Sequence, residues 1–71
     1  MTDTEKLKAA IRASGLKLGA IMDATGIKAY ATLRDRINGK SEFTAKEIFA
    51  ISNILNLTPD ERDAIFFAGG D

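Results

Sequence analysis

The sequence predicts an all-α domain of five short helices, and three observations lead to this fold class. Apolar residues recur at three- and four-residue spacing in successive segments, which places them on one face of a helix. Glycines or helix-capping residues separate these segments. Five helices and their tight turns leave no room for a sheet in a chain of 71 residues. We therefore expect one compact domain that spans residues 1–71.

Glycine residues mark the ends of the first two helices. The first helix is predicted over residues 4–14 and is followed by Gly15, which suits the left-handed backbone conformation after a helix end. The second helix is predicted over residues 18–25 and ends at Gly26. Their inward faces carry apolar residues at helical spacing, namely Leu7, Ala10, Ile11, Leu18, Ile21 and Met22.

The third helix is predicted over residues 29–38 and is closed by Gly39. Leu33 and Ile37 are four residues apart and define its inner face. Successive helical residues are rotated by about 100°, so Tyr30 falls near that face and is expected to be half-buried. The opposite face carries small or polar side chains, namely Ala31, Thr32, Asp35 and Asn38.

The fourth helix has a clear start signal. Thr44 and Glu47 have the spacing of a capping box, in which the hydroxyl and the carboxylate each accept a hydrogen bond from a free backbone N–H. Phe43 and Ile48 flank this start as a hydrophobic staple. The helix is therefore expected to begin at the Thr44 cap and to end at residue 56 or 57.

The last helix repeats this kind of start. Thr58 and Glu61 have capping-box spacing, and Pro59 occupies the first helical position, where its missing N–H is not needed. Apolar residues follow, and the helix is predicted to stop at Gly69-Gly70.

The composition argues against several classes of function. The chain has no Cys, which excludes disulfides and thiolate metal sites, and no His, the usual general base near neutral pH. Carboxylates such as Glu42 and Glu47 are present, but nothing gathers them in a cleft, so we expect no enzyme, cofactor or metal. Apolar runs are far shorter than the ~20 residues of a membrane helix, and no leader pattern opens the chain. We therefore expect a cytoplasmic protein without a membrane span.

The net charge of zero conceals an uneven distribution. Residues 1–5 carry a charge of −2, residues 6–40 carry +6, and residues 41–71 carry −4. A basic middle and an acidic end predict one surface that meets an anion and another that does not. Chance clustering of solvated charges would produce the same totals.

Residues 16–40 have the pattern of a helix-turn-helix: a short helix with an apolar stripe, a turn at Gly26-Ile27, and a second helix with a polar outer face. In DNA-binding domains of this kind the second helix lies in the major groove, where small polar side chains approach base edges. The same spacing also suits a plain αα-hairpin in a bundle. Basic side chains around the motif could neutralise phosphates, namely Lys17, Lys28, Arg34, Arg36 and Lys40.

Two segments carry a resemblance to a known family. Residues 36–44, RINGKSEFT, resemble the KINGKSEFT segment of small lambda-repressor-like regulators, the Cro and repressor-type proteins of phages and prophages of Gram-positive bacteria. Residues 26–35, GIKAYATLRD, look like the matching turn and recognition helix of one branch. The likeness extends through residues 57–59 and 65–67 and covers almost the whole chain. It departs at Lys17-Leu18, where many relatives have Thr-Gln, and in the one-residue-longer spacing from Ile27 to Leu33.

The resemblance implies a transcriptional regulator that binds a palindromic operator in double-stranded DNA as a homodimer. It places Ala31, Thr32, Arg34 and Asp35 in the groove, and the loop residues Asn38, Gly39, Lys40 and Ser41 beside the phosphates. The alternative is a protein-interaction module on the same scaffold, which binds a repressor or a toxin. The neutral net charge and the missing Thr-Gln favour this alternative, whereas the +6 segment opposes it.

Three residues of the third helix have two readings each. Tyr30 could stack or hydrogen-bond at DNA, or it could belong to the core. Asp35 could accept a hydrogen bond from cytosine N4, or it could be an exposed carboxylate between Arg34 and Arg36. Asn38 could read adenine, or it could end the helix before a glycine.

A dimer contact is expected near the C-terminus, at Ile65, Phe66 and Phe67. The two adjacent phenylalanines point about 100° apart, so one should fill the core and the other should remain for a partner. A single helix-turn-helix reads few base pairs, so a two-fold copy about one DNA turn away should raise affinity.

Overall fold

The structure, a computed structural model, describes residues 1–69. This part of the chain contains five helices and no strand, so the predicted all-α class is confirmed. The helices are α1 (Thr4–Ser14), α2 (Leu18–Thr25), α3 (Tyr30–Ile37), α4 (Ala45–Ile54) and α5 (Pro59–Phe66). None of these helices is both long enough and apolar enough to cross a membrane.

The predicted bounds of α1 and α2 are confirmed, and those of α3 differ by one residue at each end. Ala29 is the N-cap of α3, with an extended backbone, rather than its first helical residue. Asn38 is the C-cap, so its reading as a helix terminator is confirmed.

Helices α4 and α5 end earlier than predicted. Asn56 adopts a left-handed backbone with φ of 57°, and the N–H of Leu57 donates to the Ser52 carbonyl at 2.8 Å. This closing turn ends α4 at Ile54, because the orphan carbonyls are satisfied there and Leu57 turns onto the core. Helix α5 ends at Phe66 instead of Gly69-Gly70, and Gly70 lies outside the described residues.

Both predicted capping boxes are present. Thr44 Oγ1 accepts from the Glu47 N–H at 3.2 Å, and Glu47 Oε1 accepts from the Thr44 N–H at 3.0 Å. The corresponding distances between Thr58 and Glu61 are 3.1 and 2.8 Å. Each box satisfies two backbone donors that a helix start would otherwise leave unpaired.

The core joins all five helices and the loops between them. Helix α2 packs against α4, α1 packs against α3 and α5, and α4 packs against α5. Phe43, from the loop before α4, meets Phe66 edge to face, with ring centroids 5.6 Å apart. The buried apolar residues are Leu7, Ile21, Ile27, Leu33, Ile37, Phe43, Ile48, Ile51, Ile65 and Phe66.

Replacement of Gly39 by alanine should lower the free energy of unfolding by about 1–3 kcal/mol. Gly39 has φ of +82°, and an added Cβ would lie 3.2 Å from Thr4 Cγ2. Gly26→Ala is the matched control, because Gly26 has a similar φ of +79° but open space around the same position. Urea unfolding of both variants should show the larger loss for Gly39→Ala. Equal losses would mean that the close approach to Thr4 has no energetic weight.

Candidate nucleic-acid interface

A buried threonine holds the connection between α2 and α3. Thr25 Oγ1 donates to the Ile21 carbonyl at 2.8 Å and accepts from the Ile27 N–H at 3.3 Å. Ile27 is in turn buried in the core, which anchors the start of the four-residue connection to α3. Sequence reasoning missed Thr25, although a threonine in the last turn of a helix is a known candidate for such a bond to the residue four positions earlier.

Helix α3 presents one apolar face inward and one mixed face outward. Leu33 and Ile37 are buried, as predicted. Ala31, Arg34 and Asp35 are exposed, and Thr32 is partly buried between the two faces. The small side chain of Ala31 leaves the outer surface of α3 open to close approach by a ligand.

The predicted core position of Tyr30 is wrong, because the residue is 52% exposed and does not pack against the buried core. Tyr30 is the first residue of α3, and its ring lies beside the Arg34 guanidinium, with 5.8 Å from Arg34 Cζ to the ring centroid. The two side chains meet at i,i+4 spacing on the outer side, while Ile27 from the preceding turn is buried in the core. Tyr30 is thereby available to a ligand.

Arg36, expected near phosphates, is instead tied to the scaffold. Its Nη1 forms an ion pair with Glu47 Oε2, and only 21% and 13% of the two side chains are exposed. Glu47 therefore has two partners, since its other oxygen completes the capping box of α4. The pair joins the C-terminal end of α3 to the N-terminal end of α4.

The remaining candidate residues lie at the ends of α2 and α3. Lys17 is the N-cap of α2 and makes no side-chain cap, and Lys28 is exposed in the α2–α3 connection. Asn38, Lys40 and Ser41 are exposed at and after the end of α3. No ion pair within residues 1–69 involves Lys17, Lys28 or Lys40.

Asp35 is exposed and has no ion pair with Arg34 or Arg36 in the described part of the chain. Its backbone carbonyl accepts from the Lys40 N–H at 2.8 Å, which folds the loop after α3 back onto the helix. The side-chain carboxylate of Asp35 thus remains accessible on the outer face of α3.

A groove between α1, α2 and α3 brings part of this surface together with residues that sequence reasoning missed. Its volume is about 260 Å³, and its lining includes Arg34 and Asn38 from α3, Leu18 from α2, and Lys8 and Arg12 from α1. Lys8 and Arg12 are four residues apart and so lie on the same side of α1. That spacing is the sequence signal that could have identified them.

The C-terminal residues divide between core and surface. Phe66 is 2% exposed and Phe67 is 53% exposed, so the expectation of one inner and one outer phenylalanine is confirmed. Ile65 is also buried, which leaves only Phe67 of the three predicted contact residues at the surface. Phe49, which sequence reasoning missed, is 62% exposed on α4 and carries the Arg62 guanidinium over its ring at 5.6 Å.

The described residues contain no group of three side chains that could hold a metal ion. Comparison of the chain with protein-family models, with curated proteins and with solved structures found no match.

Proposed function

We propose that the protein binds double-stranded DNA in a sequence-dependent manner as a small transcriptional regulator of phage or prophage type. In this proposal α2, the connecting turn and α3 act as a lambda-repressor-like helix-turn-helix, with α3 in the major groove. The observation that carries it is the outer face of α3, where small and polar side chains stand exposed while Leu33 and Ile37 anchor the helix from behind.

The proposal divides the candidate contact residues into two roles. Those on α3 contact base edges, and they are Tyr30, Ala31, Thr32, Arg34 and Asp35. Those at the helix ends contact phosphates, and they are Lys17, Lys28, Asn38, Lys40 and Ser41. Phosphate contacts position the helix, whereas contacts to base edges supply sequence preference. The ion pair with Glu47 removes Arg36 from both groups.

The charge distribution supports this assignment. The basic residues 6–40 include most of α1 and all of α2 and α3, whereas residues 41–71 are acidic and include α4 and α5. DNA attracts the first part and repels the second, so the domain has a preferred orientation on a duplex.

A binding selection on randomised duplex DNA tests the proposal directly. The expected result is an enriched sequence whose affinity falls as salt rises. Thr32→Ala should then change which base is preferred at one position of the site, and the free-energy difference between bases there should change by about 1–3 kcal/mol. Lys40→Ala should weaken binding to all DNA sequences alike. It should also reduce the salt slope, the slope of log affinity against log salt concentration, by about one. Lys46→Ala, a matched loss of charge on the acidic half, should change neither. No salt-dependent affinity in dilute buffer would refute DNA binding.

The proposed working form is a homodimer on a palindromic site, and Phe67 is its remaining candidate contact. Phe67→Ala should reduce cooperative binding to two half-sites and leave the affinity for one half-site unchanged. The contact is small and association has an entropic cost, so the dimer should form mainly on DNA. Footprinting and sedimentation with a two-half-site duplex measure this. A wild-type monomer that protects one half-site at saturation, without coupling, would exclude the dimer.

The alternative function, a protein-interaction module, is favoured by the exposed Phe49 as well as by Phe67. Aromatic residues and arginine are both enriched at protein interfaces. The selection separates the two functions, because an interaction module would enrich no DNA sequence.

A further inference from the structure

The groove between α1, α2 and α3 combines an apolar interior with cationic edges. Ile37 is buried and Ile11 and Leu18 are partly buried, so they form its deeper surface. Arg12 and Arg34 are exposed, and their long side chains reach the groove from α1 and α3. Lys8, one turn before Arg12, lines it from the same side of α1.

The electrostatic character of this groove is one-sided. Three of its lining residues are basic, none is acidic, and Asn38 supplies a neutral amide. Lys8, Arg12 and Arg34 form no ion pair within residues 1–69, where the only ion pairs involve Lys6, Arg36 and Arg62. Three cations around an apolar surface suit a ligand with an apolar body and a negative head group.

We propose that this groove binds a small amphipathic anion, a hydrocarbon body that carries one carboxylate. The volume of about 260 Å³ lies just below the range typical of sites for drug-sized ligands, so the ligand is small, with roughly ten heavy atoms. A DNA phosphate would match the cations but not the surface of Ile11, Leu18 and Ile37. The hydrocarbon body lies on that surface, and the carboxylate lies among Lys8, Arg12 and Arg34.

Such a ligand would act as an effector, and this step rests on the proposed DNA binding. Arg34 and Asn38 line the groove and also belong to the proposed DNA-contacting surface. A carboxylate that engages Arg34 neutralises a charge that the duplex needs, so the ligand and the DNA compete. The protein would then release its operator when the anion accumulates.

Octanoate is a suitable probe, and NMR titration of the full chain measures its binding. Acetate carries the same head group without the hydrocarbon, and 1-octanol carries the hydrocarbon without the charge. Octanoate should produce saturable shifts confined to the groove residues, whereas neither control should do so at the same concentration. Shifts of similar size with acetate or octanol, or no saturable shift with octanoate, would overturn the proposal.

Two double variants test whether the basic residues of the groove bind the carboxylate. Lys8→Gln/Arg12→Gln should weaken octanoate binding by about threefold to tenfold, because two exposed ion pairs are lost. Lys6→Gln/Lys46→Gln removes the same charge outside the groove and should leave the affinity unchanged. All four positions lie on helix surfaces, and circular dichroism verifies that both variants fold. Equal weakening by both pairs would show a nonspecific charge effect and would refute the site.

Competition with DNA is measured separately on the enriched duplex. Octanoate should release the duplex at concentrations where acetate, at equal ionic strength, does not. Retention of the duplex by a protein saturated with octanoate would refute the effector role. A chain that binds no duplex in the absence of octanoate would instead refute the proposed function, and the NMR titration would still decide whether the groove binds the anion.

Discussion

Phe66→Ala should lower the free energy of unfolding by about 3–5 kcal/mol, the usual loss when a buried phenylalanine is truncated. Phe66 is 2% exposed and packs edge to face on Phe43, which lies in the loop before α4. A domain of this length has a total stability of about 4–11 kcal/mol, so the loss removes a large part of it. Urea denaturation followed by circular dichroism measures the loss.

The neighbouring residue supplies a matched control. Phe67→Ala removes the same group of atoms from a side chain that is 53% exposed, and it should change the unfolding free energy by no more than about 0.5 kcal/mol. Both substitutions lie at the C-terminal end of α5, but Phe66→Ala alters its buried side and Phe67→Ala its exposed side. Similar losses for both would contradict the burial of Phe66 alone. A large loss for Phe67→Ala that depends on protein concentration would point to a stable dimer.

Glu47→Ala is expected to have the next largest effect, a loss of about 2–4 kcal/mol in the free energy of unfolding. One carboxylate oxygen completes the capping box of α4, and the other pairs with Arg36. Loss of the hydrogen bond from the Thr44 N–H is worth about 0.5–1.5 kcal/mol, because the Thr44 hydroxyl still caps the helix. The rest arises because Arg36, 21% exposed, loses the partner that compensates its burial. Thermal or urea unfolding measures the sum.

Glu47→Gln separates the two contributions. Glutamine at this position can still accept the hydrogen bond from the Thr44 N–H, but it carries no charge for Arg36. The free energy of unfolding of Glu47→Gln should therefore lie between that of the wild type and that of Glu47→Ala. A Glu47→Gln variant as stable as the wild type would mean that the ion pair contributes nothing.

Arg36→Gln tests whether Arg36 belongs to the scaffold or to the ligand surface. The variant should lower stability, and the folded protein should retain the wild-type salt dependence of DNA binding, because Arg36 is engaged with Glu47. A salt slope reduced by about one would instead mean that Arg36 contacts a DNA phosphate.

Helix starts were accessible to sequence reasoning because their determinants are local. Thr44 with Glu47 and Thr58 with Glu61 each satisfy backbone donors three residues away, so the pattern can be read without knowing the rest of the fold. The inner residues Leu33 and Ile37 were equally accessible, because helical periodicity places them on one face.

Helix ends and side-chain partners depended on the assembled domain. Helix α4 ends where Leu57 turns onto the core. Tyr30 lies beside Arg34 on the outer side, because Ile27 takes the place in the core. The partner of Arg36 is eleven residues away, on another helix. The groove that joins Lys8 and Arg12 to Arg34 likewise forms only when α1 packs on α3. Periodicity along a helix reveals which face is apolar, but the packing of helices on one another selects which polar side chains meet.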